Sequence, residues 1–210
     1  MSKQSEPAAV RQPKAQLALD PKYIGRITGI LLAICLITAL LLGIVNQVTD
    51  PRIKAIEAEK IRAAMSQVLP ADEYISCEAE LPKSVTSISQ AVTNGAAIGW
   101  VVQVTANGSQ GEIEMMVGAD MTGAVTGVSV VKHSETPNIG TKVVADQAVL
   151  DRFIGMSQAD GEITVNSGTN RFDGISGATV SSRGVTAGVN AALEAVKWQA
   201  LTDNFTPLAG

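Results

Sequence analysis

The sequence predicts an α+β chain: a single N-terminal transmembrane helix, then a small domain with a twisted, mainly antiparallel sheet and packed helices. Three observations predict it. Nineteen uncharged residues, ITGILLAICLITALLLGIV from Ile27 to Val45, are bracketed by Arg26 and Asp50. At about 1.5 Å per residue they match the ~30 Å of a bilayer core. From about Val85 the chain then runs through four β-type segments, SVTSIS, IGWVVQVTA, GEIEMMVGA and AVTGVSVVKHSE, whose short connections imply antiparallel pairing. Near the end, Val185, Val189, Ala192, Leu193 and Val196 recur on one face of a helix, giving it a stripe to bury.

Taken in order, residues 1–23 hold Pro7, Pro13 and Pro21 with little apolar periodicity and read as a disordered tail. Residues 24–48 are the anchor. A cleaved signal peptide fits less well, because the apolar run is long and no A-x-A site follows it; Ile34 before Cys35 is too large for a lipoprotein signal. Lys3, Arg11, Lys14, Lys22 and Arg26 precede the span and Arg52, Lys54, Lys60 and Arg62 follow it. The bias leans toward a cytoplasmic N-terminus with the domain on the extracytoplasmic face. Asp50 is placed to cap an amphipathic helix over 49–70 whose first position is Pro51. Its face of Ile53, Ile56, Ile61, Ala64 and Val68 ends at Pro70, and the helix either continues from the membrane as a stalk or packs on the domain.

The domain proper covers 71–202, with a short tail at 203–210. Asn107-Gly108 marks a hairpin, and Gly123 and Gly127 punctuate the next turn. KVVADQAVLDRFIG reads as a helix, EITVN as a short strand, and the last helix runs from Ser182 onward, with the helices on one side of the sheet. Thr141 is placed to cap the first of those helices, and Trp100 and Trp198 read as core packing.

Composition excludes several chemistries. The net charge is −4 with no basic cluster, which argues against nucleic acid. Two cysteines, Cys35 inside the apolar run and Cys77, form neither an iron–sulfur ligand set nor a plausible disulfide, and a lone histidine, His133, is too little for a His-rich zinc or haem site. There is no nucleophile elbow and no G-x-G-x-x-G fingerprint. Any redox chemistry needs an organic cofactor.

The informative stretch is DGISGATVSS, Asp173 to Ser182. Gly177 and Ala178 remove bulk where a helix begins, so backbone N–H groups can approach an anion that the helix dipole also favours. Thr179 puts a hydroxyl in that seat. A threonine hydroxyl is a weak nucleophile, and with no base nearby in sequence an ester bond to it needs an outside enzyme. Taken alone, the stretch reads more readily as a tight turn with a polar cap.

DGISGAT resembles the D-x-x-[ST]-G-A-T signature of FMN-binding domains that hold FMN in phosphoester linkage to the threonine, installed from FAD by a flavin transferase with Mg²⁺. HSETPNIG, His133 to Gly140, resembles the second family motif, H-x-E-T-P-G-[LI]-G. With one anchor and both motifs in this order, the chain resembles the G subunits of Rnf-type ion-translocating ferredoxin:NAD⁺ oxidoreductases. The resemblance implies that Thr179 bears the flavin, with Ser176, Gly177, Ala178 and Val180 around its phosphate and Glu135, Thr136, Ile139 and Gly140 near the isoalloxazine ring. Asp173 is badly placed by charge for phosphate contact, so recognition by the transferase or a turn hydrogen bond explains it better; the resemblance also implies the other subunits of the complex as partners. Asn138 stands where the motif has glycine; if that position needs a positive φ, asparagine is the most tolerant replacement. Two rivals are the C subunit of a Na⁺-translocating NADH:quinone oxidoreductase and an anchored, non-redox module that binds a phosphorylated ligand.

Overall fold

A computed structural model of the chain describes residues 21–77 and 81–202; of the expected tails at 1–23 and 203–210, residues 1–20 and 203–210 lie outside the described residues, whereas Pro21 to Tyr23 already belong to the first helix. Two compact units divide between Ile53 and Lys54. The first is helical. Helix α1 (Pro21–Val68) starts six residues ahead of the apolar run, and among the described residues it is the one helix long and apolar enough to cross a membrane. Thr38 is the polar residue that the span has to accommodate in its middle. Its hydroxyl donates to the carbonyls of Ile34, at 2.9 Å, and Cys35, at 3.0 Å, so no donor is left for lipid to satisfy.

Asp50 does not begin a new helix: α1 continues through Pro51. Proline there lacks an N–H and crowds the carbonyl one turn back. The flanking turns nevertheless keep helical geometry, and the helix ends at Val68, before Leu69 and Pro70.

The second unit is built on a five-stranded antiparallel sheet in the order β1 (Glu73–Cys77), β2 (Val85–Thr93), β3 (Ala96–Asn107), β4 (Glu112–Asp120), β5 (Val125–Lys132). All four expected runs form strands. β2 and β3 are joined by Asn94-Gly95, both with positive φ, the two-residue turn that matches strand twist. Asn107-Gly108 opens a longer connection in which Gly108 N–H donates to the carbonyl of Gly111 at 2.8 Å. Strand β1 has little alternation in its own residues and is defined by pairing, Tyr74 opposite Ala91 and Cys77 opposite Ile88.

Helices cover both faces rather than one. On one face, α4 (Thr179–Thr202) buries Val185, Val189, Ala192, Leu193 and Val196 against Val102, Val104, Met115 and Val117. Each buried Val, Leu or Met side chain among them stabilises the fold by roughly 1.5–3 kcal/mol. On the other face, the last turn of α1 sets Ala64, Val68 and Leu69 against Ala91, Val101 and Met116. Gly118 and Gly127 make that approach possible: a Cβ at Gly118 would stand 2.6 Å from the Val68 carbonyl oxygen, and one at Gly127 2.9 Å from its Cα. Gly127 therefore lies inside β5 as a seat for the helix end, not in the turn. Thr126 Oγ1 donates to the Val68 carbonyl at 2.7 Å, and Ser129 Oγ donates to Gln67 Oε1 at 2.8 Å.

KVVADQAVLDRFIG is not one helix. It breaks into α2 (Thr141–Val144), α3 (Gln147–Leu150) and a 3₁₀ turn, Asp151–Phe153. Asp146 takes an extended conformation and its side chain accepts from the Ala148 N–H at 3.0 Å, which starts α3 afresh. EITVN shrinks to β6 (Thr164–Val165), paired in parallel with β7 (Arg171–Phe172) in a separate small sheet. Phe172 stacks on Phe153 with ring centroids 4.1 Å apart. Trp100 is buried as expected, whereas Trp198 is 62% exposed because it points off the side of α4 away from the stripe.

Candidate functional site

Helix α4 begins at Thr179, three residues before Ser182. Its first N–H groups have no partner one turn back within the helix, and its first turn holds no acidic side chain. The preceding loop is fastened by Ser182, whose hydroxyl donates to the Ala178 carbonyl at 3.0 Å and accepts from the Ile175 N–H at 3.2 Å. Gly177 has φ +82° with open space where a Cβ would lie. Left-handed backbone here turns the loop so that Thr179 stands exposed at the first helical position.

The second segment leaves β5 and turns back at Thr136, whose carbonyl accepts from the N–H groups of Ile139, at 3.2 Å, and Thr141, at 3.3 Å. Asn138 is left-handed at φ +61°, the conformation in which asparagine is best tolerated after glycine. Thr141 is the first residue of α2 and does not cap it; its hydroxyl instead accepts the Asn138 N–H at 2.8 Å, because Gly140 already occupies the cap position. His133 is half-buried at the end of β5, and its Nδ1 accepts the Glu135 N–H at 3.3 Å.

These two segments, 39 positions apart from Gly140 to Thr179, face each other across one cleft of about 180 Å³. Gly177, Ala178, Thr179 and Val180 form one wall and Glu135, Thr136, Ile139 and Gly140 the other. Ser109 and Ser181 complete the lining. The sequence singles out neither of them; Ser181 sits two positions beyond Thr179, and Ser109 follows the Asn107-Gly108 hairpin, but nothing local ties them to the motifs. Ser176 is exposed and lies outside the lining. Asp173 is also outside it: its carboxylate pairs with Arg171 Nε at 2.9 Å, and its carbonyl accepts from Arg152 at 3.1 Å.

The cleft is polar at its base and apolar at its rim. Glu135 is 5% exposed, and its Oε1 accepts from the N–H groups of Ser109, at 2.6 Å, and Gln110, at 3.3 Å. Ser181 Oγ donates to its Oε2 at 2.5 Å. Ile139 and Val180 leave about half of their surfaces in water, 51% and 55%. Among the described residues no group of His, Cys, Asp and Glu is arranged to hold a metal ion. A larger cavity of about 500 Å³, lined by Trp100, Leu193, Val196 and Lys197, lies toward the far end of α4 and touches neither motif.

With this geometry established, residues 108–194 match the FMN-binding domain family. That defines the class: a flavin-binding domain that follows a membrane anchor. More particularly, the chain is 30% identical over 187 residues to the G subunit of the ion-translocating oxidoreductase complex of Methanosarcina acetivorans, covering 86% of this chain and 98% of that one. It is 28% identical over 201 residues to the G subunit of the Na⁺-translocating ferredoxin:NAD⁺ oxidoreductase complex of Acetobacterium woodii, covering 87% and 96%. The chain belongs to the family of G subunits of ion-translocating oxidoreductase complexes, and α1 is its single membrane anchor. A solved structure of Shewanella oneidensis NqrC aligns with TM-score 0.46 and 20% identity over 61% of this chain and 70% of that one.

Proposed function

We propose that this chain is the electron-relay subunit of a membrane-bound, Rnf-type ferredoxin:NAD⁺ oxidoreductase coupled to ion transport, carrying one FMN in phosphoester linkage to Thr179. The observation that carries the proposal is the placement of Thr179: an exposed hydroxyl at the first position of a 24-residue helix, in the one cleft where both motif segments meet. Ser176, Gly177 and Ala178 leave the approach to the helix N-terminus unobstructed, where the dipole and free N–H groups favour a phosphodiester. Ile139 and Val180 are apolar side chains at the rim that a flat ring would cover. Thr136 and Gly140 shape the wall beside them.

When bound, the flavin supplies one-electron redox chemistry; the protein holds it in place and excludes dissociation. Attachment would join the Thr179 oxygen to the flavin-side phosphorus of FAD and release AMP, with the hydroxyl proton passing to a base of the Mg²⁺-dependent transferase. Asp173, exposed beside the loop and paired with Arg171, is available for recognition by that enzyme. The chain's division is 1–23 tail, 24–48 anchor, 49–70 stalk, 71–202 flavin domain and 203–210 tail. The N-terminus is cytoplasmic, the flavin domain extracytoplasmic, and the neighbouring subunits of the complex are its redox partners. No charged residue interrupts Ile27 to Val45, so the ion path runs through those other subunits.

The test is co-expression of the full chain with a flavin transferase, beside Thr179→Ala. A flavin adduct in intact mass and in-gel fluorescence after denaturation is expected in the wild type and not in the variant. A folded wild type left unmodified by an active transferase would remove the relay reading.

A further inference from the structure

Glu135 is a buried carboxylate for which flavin binding alone gives no account. Among the described residues no lysine, arginine or histidine forms a salt bridge with it. An unpaired buried charge is costly unless hydrogen bonds replace its water. Here they do: the Ser109 and Gln110 N–H groups donate to Oε1 and the Ser181 hydroxyl to Oε2. These donors come from two elements, the β3–β4 connection and the first turn of α4, while Glu135 itself belongs to the loop after β5.

The surrounding backbone is built around this carboxylate. A Cβ at Gly108 would overlap Glu135 Oε1, and one at Gly140 would overlap Oε2 and come within 2.9 Å of Ser181 Oγ. Both positions have to be glycine for the carboxylate to sit where it does. Its oxygens are occupied on the inner side of the cleft, so a polar flavin contact would compete with bonds already made.

We propose that Glu135 is the positioning residue of this site: its carboxylate ties the β3–β4 connection and the loop after β5 to the start of α4, and thereby fixes the face on which Thr179 is presented for flavin attachment. The inference rests on Thr179 being the attachment point, and it assigns Ser181 as Glu135's partner. Glutamine can reproduce the arrangement, its carbonyl accepting from Ser109 and its amide donating to Ser181 Oγ, whereas alanine cannot.

The experiment compares full-length wild type, Glu135→Ala, Glu135→Gln and Ser181→Ala in detergent, with FAD, Mg²⁺ and a flavin transferase. It follows the rate of flavin attachment and, in the unmodified chains, amide hydrogen exchange at Ser109 and Gln110. Losing bonds to a charged acceptor predicts that Glu135→Ala slows attachment and speeds that exchange by about tenfold or more, while Glu135→Gln stays within about threefold of wild type. Ser181→Ala removes one donor to the same charged acceptor and little volume; slowing of about tenfold is expected, and it decides the matter should Glu135→Ala not fold. Folded Glu135→Ala or Ser181→Ala modified at the wild-type rate, or Glu135→Gln as slow as alanine, would overturn the proposal. A wild type that takes no flavin, yet whose Ser109 exchange depends on Glu135, would sink the proposed function and leave the tie itself standing.

Discussion

Two regions of the domain, the seat of α1 on the sheet and the loop before α4, both depend on missing side chains, with opposite results. At Gly118 and Gly127 the vacated space is filled by the chain's own backbone at Val68, and Thr126 and Ser129 lock the helix end with hydrogen bonds. At Gly177 the space is left open, and the residues around it, Thr179, Val180 and Ile139, remain exposed. A filled glycine gap is a joint between elements; an unfilled one beside a helix N-terminus leaves the first N–H groups of the helix approachable. The same residue type therefore closes one joint and leaves another open, and the neighbours decide which.

Substitutions should separate the two roles. The largest effect is expected at Gly118→Ala, whose Cβ would stand 2.5 Å from Thr126 Oγ1 and 2.6 Å from the Val68 carbonyl. Overpacking against backbone predicts a loss of about 1–3 kcal/mol in chemical denaturation of the flavin domain within the full chain. Gly177→Ala meets no atom within 4 Å and has only its φ of +82° to strain it. About 1 kcal/mol is expected there, with a clear fall in flavin attachment. If the two variants were equally destabilised, the contrast between a filled and an open gap would be wrong.

Thr126→Val tests the joint more gently. It keeps the shape and deletes the bond to Val68, for an expected loss of about 1 kcal/mol that leaves flavin attachment unchanged. The smallest effect concerns pH. Burial alone would raise the Asp120 pKa, but hydrogen bonds from the Thr122 hydroxyl and from the Ala124, Thr122 and Gly123 backbone outweigh it and hold the carboxyl below its ordinary 3.8. A depressed carboxylate contributes stability above its unfolded pKa and loses it as pH falls through the folded value. The thermal midpoint should therefore drop a little below about pH 4, and by less in Asp120→Asn. An unchanged acid response in that variant would discharge Asp120 from the effect.

How much of this is legible in the sequence follows from the range of the interactions. The α4 stripe, strands β2 to β5 and the two motif segments announce themselves in local pattern. Strand β1 does not, because EYISC becomes a strand only by lying beside β2. Asp146 can be read as a cap that splits the expected helix, and Asn94-Gly95 as a turn, from residue type alone. Other features are long-range and have no local signature. Gly127 reads as turn punctuation until Val68 arrives 59 positions away, and Glu135 reads as a motif letter until Ser109 and Ser181 are seen to bond it. At Pro51 the local reading leaves open whether the helix continues from the membrane, because a breaker is weighed there without the turns on either side.

The most direct test of the central claim is peptide mapping of the full chain matured with a flavin transferase. Trypsin should release Phe172 to Arg183, which contains Ser176, Thr179, Ser181 and Ser182 as competing hydroxyls. The account predicts that this peptide carries FMN and that fragmentation places it on Thr179 alone. An unmodified peptide, or FMN localised to one of the serines, would contradict it.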